Sequence, residues 1–130
     1  MNPLTLSVFP EPLAVCRLKP ETALPPVLSQ ARFFSVTRTD NELSVVLPQA
    51  LADPSWRVEP DWSALAVTGP LDFSLTGILA GLSAHLAAAQ ISIFAISTFD
   101  TDLILVKTDM LGAAITVLKQ AGHQIISERV

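Results

Sequence analysis

Between residues 62 and 127 the apolar positions change period in an order that few folds accommodate. Residues 62–68 (Trp-Ser-Ala-Leu-Ala-Val-Thr) alternate as a half-buried strand does, and Gly69-Pro70 breaks the run. Leu75, Ile78, Leu79, Leu82 and Leu86 then follow at helical spacing, with Asp72 or Ser74 placed as the N-cap. Residues 91–97 read as a strand, 99–101 as a bend, and Asp102–Lys107 as another strand with an unbroken apolar run. Leu111, Ile115 and Leu118 mark a second helix, started by Thr108 or Asp109 and followed by Gly122, the residue expected just past a helix end. Residues 124–127 make a last short strand. The order β-α-β-β-α-β predicts an α+β, ferredoxin-like unit: an antiparallel sheet with both helices on one face.

The first half has little room for helices. Residues 4–9 alternate apolar and polar until Pro10 and Pro12, and Leu13–Leu18 forms a second strand pattern. A short helix is expected after Pro25-Pro26, since proline is tolerated in a first helical turn. Residues 33–38 and 43–47 flank Thr39-Asp40-Asn41-Glu42, a strand–turn–strand pattern. Residues 48–61 carry Pro48, Pro54 and Pro60 and read as a connecting segment. The expected division is therefore a reduced, strand-rich unit over residues 1–58 and a complete one over 59–130. Trp56 and Trp62, on either side of Pro60, fit core packing or an interface anchor.

Composition excludes several functions. Twelve acidic against eight basic residues, with no basic run, argue against nucleic-acid binding. Only 15% of the residues are charged, which favours burying apolar surface in a homodimer. The single cysteine, Cys16, reads as a small core hydrophobe, and no Cys or His cluster has metal spacing, so no cofactor is expected. The low-charge stretch 73–99 is interrupted by polar residues and is periodic, which reads as a soluble helix and strand, without a membrane segment. With no signal-peptide pattern at residues 1–12, a cytoplasmic location is expected. Ser97 and Thr98 are the hydroxyls one would test as nucleophiles. His85 lies mid-helix and His123 just past Gly122, where an exposed helix C-cap is expected, so no base pairs with a hydroxyl and no enzyme is predicted. Gly77 and Gly81, four apart on the first helix, suggest close packing against a neighbour.

Three segments carry a resemblance. Residues 68–80 (Thr-Gly-Pro-Leu-Asp-Phe-Ser-Leu-Thr-Gly-Ile-Leu-Ala) resemble the strand-to-helix loop of ACT domains. Residues 93–106, with their Ser-Thr-Phe-x-x-Asp hairpin, resemble the central hairpin of those domains, and residues 113–123 their second helix and its exit. The hairpin is similar to the amino-acid-binding ACT modules of aspartate kinases and of CASTOR-type cytosolic arginine sensors. The whole chain resembles small bacterial proteins made of two ACT-like units in tandem. The resemblance implies allosteric binding of a free amino acid, usually at an interface between two such units, with output to a protein effector.

What the resemblance implies about residues is physically readable. Gly69, Pro70, Leu71 and Asp72 occupy the loop position, where a glycine allows close backbone approach and a helix start offers free N–H groups to a carboxylate. Ser97, Thr98, Phe99, Asp100 and Asp102 occupy the hairpin, and the two carboxylates suit an ammonium or guanidinium. Thr98, Phe99 and Asp102 match positions that contact arginine in the sensors. No Lys or Arg lies between Arg57 and Lys107, whereas Glu59, Asp61, Asp72, Asp100 and Asp102 do, so a ligand with a cationic group is favoured. Asp72 equally fits a helix N-cap and Asp100 plain turn chemistry. The competing function is a protein–protein interaction module whose pocket has degenerated, pairing through a sheet edge or helix face.

Overall fold

The computed structural model describes residues 3–68 and 77–127. The chain groups into two units, one of Met1–Pro10 with Ser63–Val130 and one of Glu11–Trp62. Residues 3–9, expected with the N-terminal half, thus belong with the C-terminal unit, and the grouping differs from a break at residues 58/59.

The Glu11–Trp62 unit is an antiparallel sheet. Strands β2 (Leu13–Leu18), β3 (Ser35–Arg38), β4 (Leu43–Pro48) and the first part of β5 (Arg57–Val67) lie in the order β3-β4-β2-β5. Alternation decides the inner face: Ala14, Cys16 and Leu18 of β2 and Leu43, Val45 and Leu47 of β4 form one core cluster. Leu28, from a 3-10 turn at Pro26–Gln30, completes it, with Trp56 packed against it. Cys16 is 2% exposed, and burial pushes its thiol pKa up to about 11, so it is an inert core group at neutral pH.

Residues 57–61, read from sequence as part of a connector, are strand instead. Pro60 is accommodated because the β2–β5 register shifts here: Val15 pairs with Glu59 and Leu13 with Trp62, which leaves Pro60 and Asp61 opposite Ala14 alone. Asp61 adopts a left-handed φ of 67°. Gln49 holds it on both sides, its Oε1 accepting from the Asp61 N–H at 2.6 Å and its Nε2 donating to Asp61 Oδ1 at 3.1 Å.

The other unit contains β1 (Thr5–Val8), the last part of β5, α1 (Ile78–Ala88), β6 (Phe94–Ser97), β7 (Asp102–Lys107), α2 (Leu111–Gln120) and β8 (Gln124–Ser127). From β5 to β8 this is the expected β-α-β-β-α-β order. The sheet differs in one respect: β1 lies between β5 and β8, antiparallel to β5 and parallel to β8, so the sheet is mixed rather than antiparallel and runs β6-β7-β5-β1-β8. Leu6, Leu65, Val67, Ile104 and Val106 from the strands meet Leu82 and Leu86 of α1 and Ala114 and Leu118 of α2 in one buried cluster. Among the described residues, no helix is long and apolar enough to cross a membrane.

The helix ends follow backbone chemistry more than side-chain caps. The described part of the first helix begins at Ile78 with Gly77 at its N-cap; the expected caps Asp72 and Ser74 lie outside the described residues. Gly77 has φ 78° and open space where a Cβ would stand, so it serves conformation rather than the close packing expected of it. At α2 a 3-10 turn, Thr108–Met110, leads directly into the helix and no side-chain cap forms. The Thr108 hydroxyl instead meets that of Ser63 at 2.9 Å.

Both helices close with the same pair of bonds. After α2, Gly122 N–H donates to Lys119 O and His123 N–H to Leu118 O, with Gly122 at φ 99°. After α1, Gln90 N–H donates to Ala87 O and Ile91 N–H to Leu86 O, but here Gln90 takes the left-handed position at φ 62°. A side chain there costs roughly 1 kcal/mol that glycine avoids. Gln90→Gly is therefore expected to raise stability by about 0.5–1 kcal/mol in urea denaturation; an unchanged or lower midpoint would refute this account of the turn.

Candidate functional site

The β6–β7 hairpin brings together the residues singled out in it. Phe94 to Ser97 pair with Leu105 to Asp102, and Thr98, Phe99, Asp100 and Thr101 make the turn. The turn is closed by hydrogen bonds rather than by glycine. Thr98 N–H donates to Thr101 O at 2.7 Å. The Thr98 hydroxyl donates to the same carbonyl at 3.1 Å and accepts the Thr101 N–H at 3.2 Å. Ser97 Oγ donates to Asp102 Oδ1 at 2.6 Å, across the last strand pair.

Two consequences follow for chemistry. Both hydroxyls are engaged in local structure, Ser97 on a carboxylate and Thr98 on the turn backbone. Among the described residues Asp102 is engaged through Oδ1 alone and is half-buried, whereas Asp100 is exposed. Phe99, at the apex, is 80% exposed. A carboxylate beside an exposed ring suits a cation with an apolar stem.

Thr101, which the sequence reading passed over as one of the two variable positions of the motif, fixes where the hairpin sits. Its hydroxyl donates to the carbonyl of Val67 at 2.7 Å. Val67 is the last residue of β5, and Thr68 N–H bonds Thr5 O at 2.8 Å. The hairpin turn is thereby tied to the exit of β5, two residues before Gly69. Gly69, Pro70, Leu71 and Asp72 themselves lie outside the described residues. Nothing in sequence periodicity marks Thr101, because its role depends on a neighbouring strand's carbonyl.

His123 departs from expectation. It is only 5% exposed, not a surface cap. Its Nδ1 accepts the Leu4 N–H at 3.0 Å, which places the ring proton of the neutral form on Nε2, an atom buried without a hydrogen-bond partner among the described residues. Burial, then the charge of His85, holds its pKa below the usual histidine range. The folded state thus binds fewer protons than the unfolded one as pH falls through the unfolded value near 6.5. The stability is present above that value and is lost toward lower pH. Protonation of Nδ1 also removes the acceptor for Leu4. Between pH 7.5 and 5.5 the protein should lose stability through this group, and His123→Gln should flatten that difference in urea titrations. Equal pH dependence in the two proteins would assign the effect elsewhere.

Among the described residues no three His, Cys, Asp or Glu side chains cluster as a metal site.

The fold and the hairpin are those of an ACT domain. The family model for the ACT domain matches residues 57–120, and a second model, for an N-terminal domain, matches residues 11–50. The chain belongs to the ACT-domain proteins. A crystal structure of an Agobacterium tumefaciens protein superposes with a TM-score of 0.93 at 33% identity, covering 100% of this chain and 97% of that one. The ligand-free regulatory subunit of aspartate kinase from Thermus thermophilus shares the fold, with a TM-score of 0.63 at 11% identity over 92% of this chain and 99% of that one. The human protein named cytosolic arginine sensor for mTORC1 subunit 1 is 40% identical over 67 residues, which are 51% of this chain. Those residues are 20% of the sensor, so the chain spans about a fifth of the length of the curated relatives it matches.

Proposed function

We propose that this chain binds a free amino acid with a cationic side chain at the β6–β7 hairpin, and regulates a protein partner through that binding without catalysing a reaction. The observation that carries the reading is the Thr101–Val67 hydrogen bond, which sets the hairpin beside the end of β5. In sequence, the loop assigned to the ligand carboxylate begins there, at Gly69, Pro70, Leu71 and Asp72. Asp102, with Asp100 near it, takes the cation; Phe99 lies along the stem; Ser97 and Thr98 hold the turn in shape. Similarity to a protein named as an arginine sensor, and to regulatory domains of aspartate kinases, supports an amino-acid ligand of this class. The Glu11–Trp62 unit is read as the reduced ACT-like partner, and the protein as cytoplasmic.

Thermal unfolding with each common amino acid tests the site. A true ligand at about 100 times its Kd adds about 2.7 kcal/mol, several degrees in Tm. Arginine or lysine is expected to give that shift, and Asp102→Asn, which keeps the shape and loses the charge, to abolish it. If no amino acid raises Tm, the ligand reading fails and the degenerate-pocket interaction module replaces it. A shift that survives Asp102→Asn would move the ligand away from the hairpin.

We place a homodimer contact on α1. The helix carries no Lys, Arg, Asp or Glu, and Ala80, Ala84, Ala87 and Ala88 are exposed on it. Strand β6 pairs, among the described strands, with β7 alone. An uncharged helix face of this kind suits self-association. Ala84→Glu should convert a dimer to a monomer in sedimentation velocity; a wild-type monomer would refute the assignment.

A further inference from the structure

Directly opposed like charges on neighbouring strands destabilise a sheet, and this chain has such a pair. Arg17 of β2 stands in register with Arg57 of β5. Both line one cavity of about 250 Å³ in the Glu11–Trp62 unit, together with Lys19, the hydroxyl residues Thr22 and Ser55, and Leu18 and Trp56. Three of the eight basic residues of a chain with net charge −4 therefore surround a single cleft. Little on the protein neutralises them. Glu42 comes within 3.9 Å of Arg17, but both side chains are about half exposed, and such a pair is weak. Among the described residues Lys19 and Arg57 have no ion-pair partner.

The wall of the cleft is held in place independently of any ligand. Thr22 N–H bonds Lys19 O at 3.1 Å, and the Arg38 guanidinium donates to the carbonyls of Pro20 and Thr22. Arg17 Nη2 donates to Asn41 O at 3.1 Å, which steers one fork. Trp56 packs against the core and is also among the residues that line the cleft, so this part of the wall is anchored. Because the whole protein is acidic, attraction of an anion here is a local property and not a general one.

We infer that this cleft is a binding site for a small phosphate monoester carrying a planar or apolar group. Two guanidiniums match the oxygens of a phosphate bidentately, Lys19 adds a point charge, and the hydroxyls of Thr22 and Ser55 donate to the remaining oxygens. The cavity is larger than a bare phosphate needs, and Leu18 and Trp56 in its lining suit an apolar group on the ester. The site lies in a different unit from the hairpin and does not rest on the amino-acid reading.

Calorimetric titration of the full chain with phenyl phosphate and with inorganic phosphate, at constant ionic strength, tests the inference. Phenyl phosphate should bind saturably and more tightly than inorganic phosphate. Arg57→Gln should weaken it at least about ten-fold, while Lys119→Gln, on α2 of the other unit, leaves it unchanged. Without ligand, Arg57→Gln should melt at the same temperature as the wild type or about 1–4 °C higher, since it relieves the opposed pair. No saturable heat with either probe would overturn the proposal, as would equal weakening by the two substitutions, or a lower melting temperature for Arg57→Gln with binding unaffected.

Discussion

The pairing of β1 with both β5 and β8 is the constraint on which the larger unit depends. Four backbone or side-chain bonds fasten its margins: Phe9 N–H to Ala64 O, Thr68 N–H to Thr5 O, Gln124 N–H to Leu4 O, and Leu4 N–H to His123 Nδ1. Leu6 enters the core between the strands and helices. Without β1, β8 would have no ladder partner among the described strands, and the inner edge of β5 would be bare. The termination of α2 is part of the same arrangement. The closing turn at Gly122 is what delivers His123 to Leu4 and β8 to β1 in register.

The hairpin site depends on that frame at one remove. Thr68 is held by Thr5, Val67 by its pairing with Leu6, and Thr101 by Val67. The residues proposed to grip a ligand are thus positioned by a chain of bonds that starts in β1. Their own hydrogen bonds are local, Ser97 to Asp102 and Thr98 to Thr101. A small turn made without glycine is stiff, which suits a recognition element that must hold a carboxylate at a set place.

Much of this was legible in the residues. Period-two alternation located β1, β2 and β4 to within a residue or so, because one face of each is buried and the pattern follows from that. Gly122 marked the end of α2, since its left-handed φ is a requirement that sequence displays directly. The hairpin motif and its two carboxylates were visible for the same reason: they are contiguous. What escaped notice is non-local. Pro60 argued for a connector, and only the register shift against Ala14 lets a strand pass through it. His123 looked like an exposed cap, and its burial comes from a strand 119 residues away in sequence. Thr108 was a reasonable helix cap whose hydroxyl found Ser63 instead. The opposed Arg17 and Arg57 are 40 positions apart and become a feature only when the strands align.

The parallel contact between β1 and β8 has a consequence for how the chain reaches its native state. Residues 5–8 leave the ribosome some 119 positions before their partners at 124–127. Until then β1 has only β5 to pair with, and the edge that β8 will cover stays open. Closing so long a loop is entropically slow, so the larger unit has a high contact order in the region that holds it together. The Glu11–Trp62 unit has no such wait. All of its strand pairs lie between residues 13 and 62, and it can be complete while residues 63–127 are still being made.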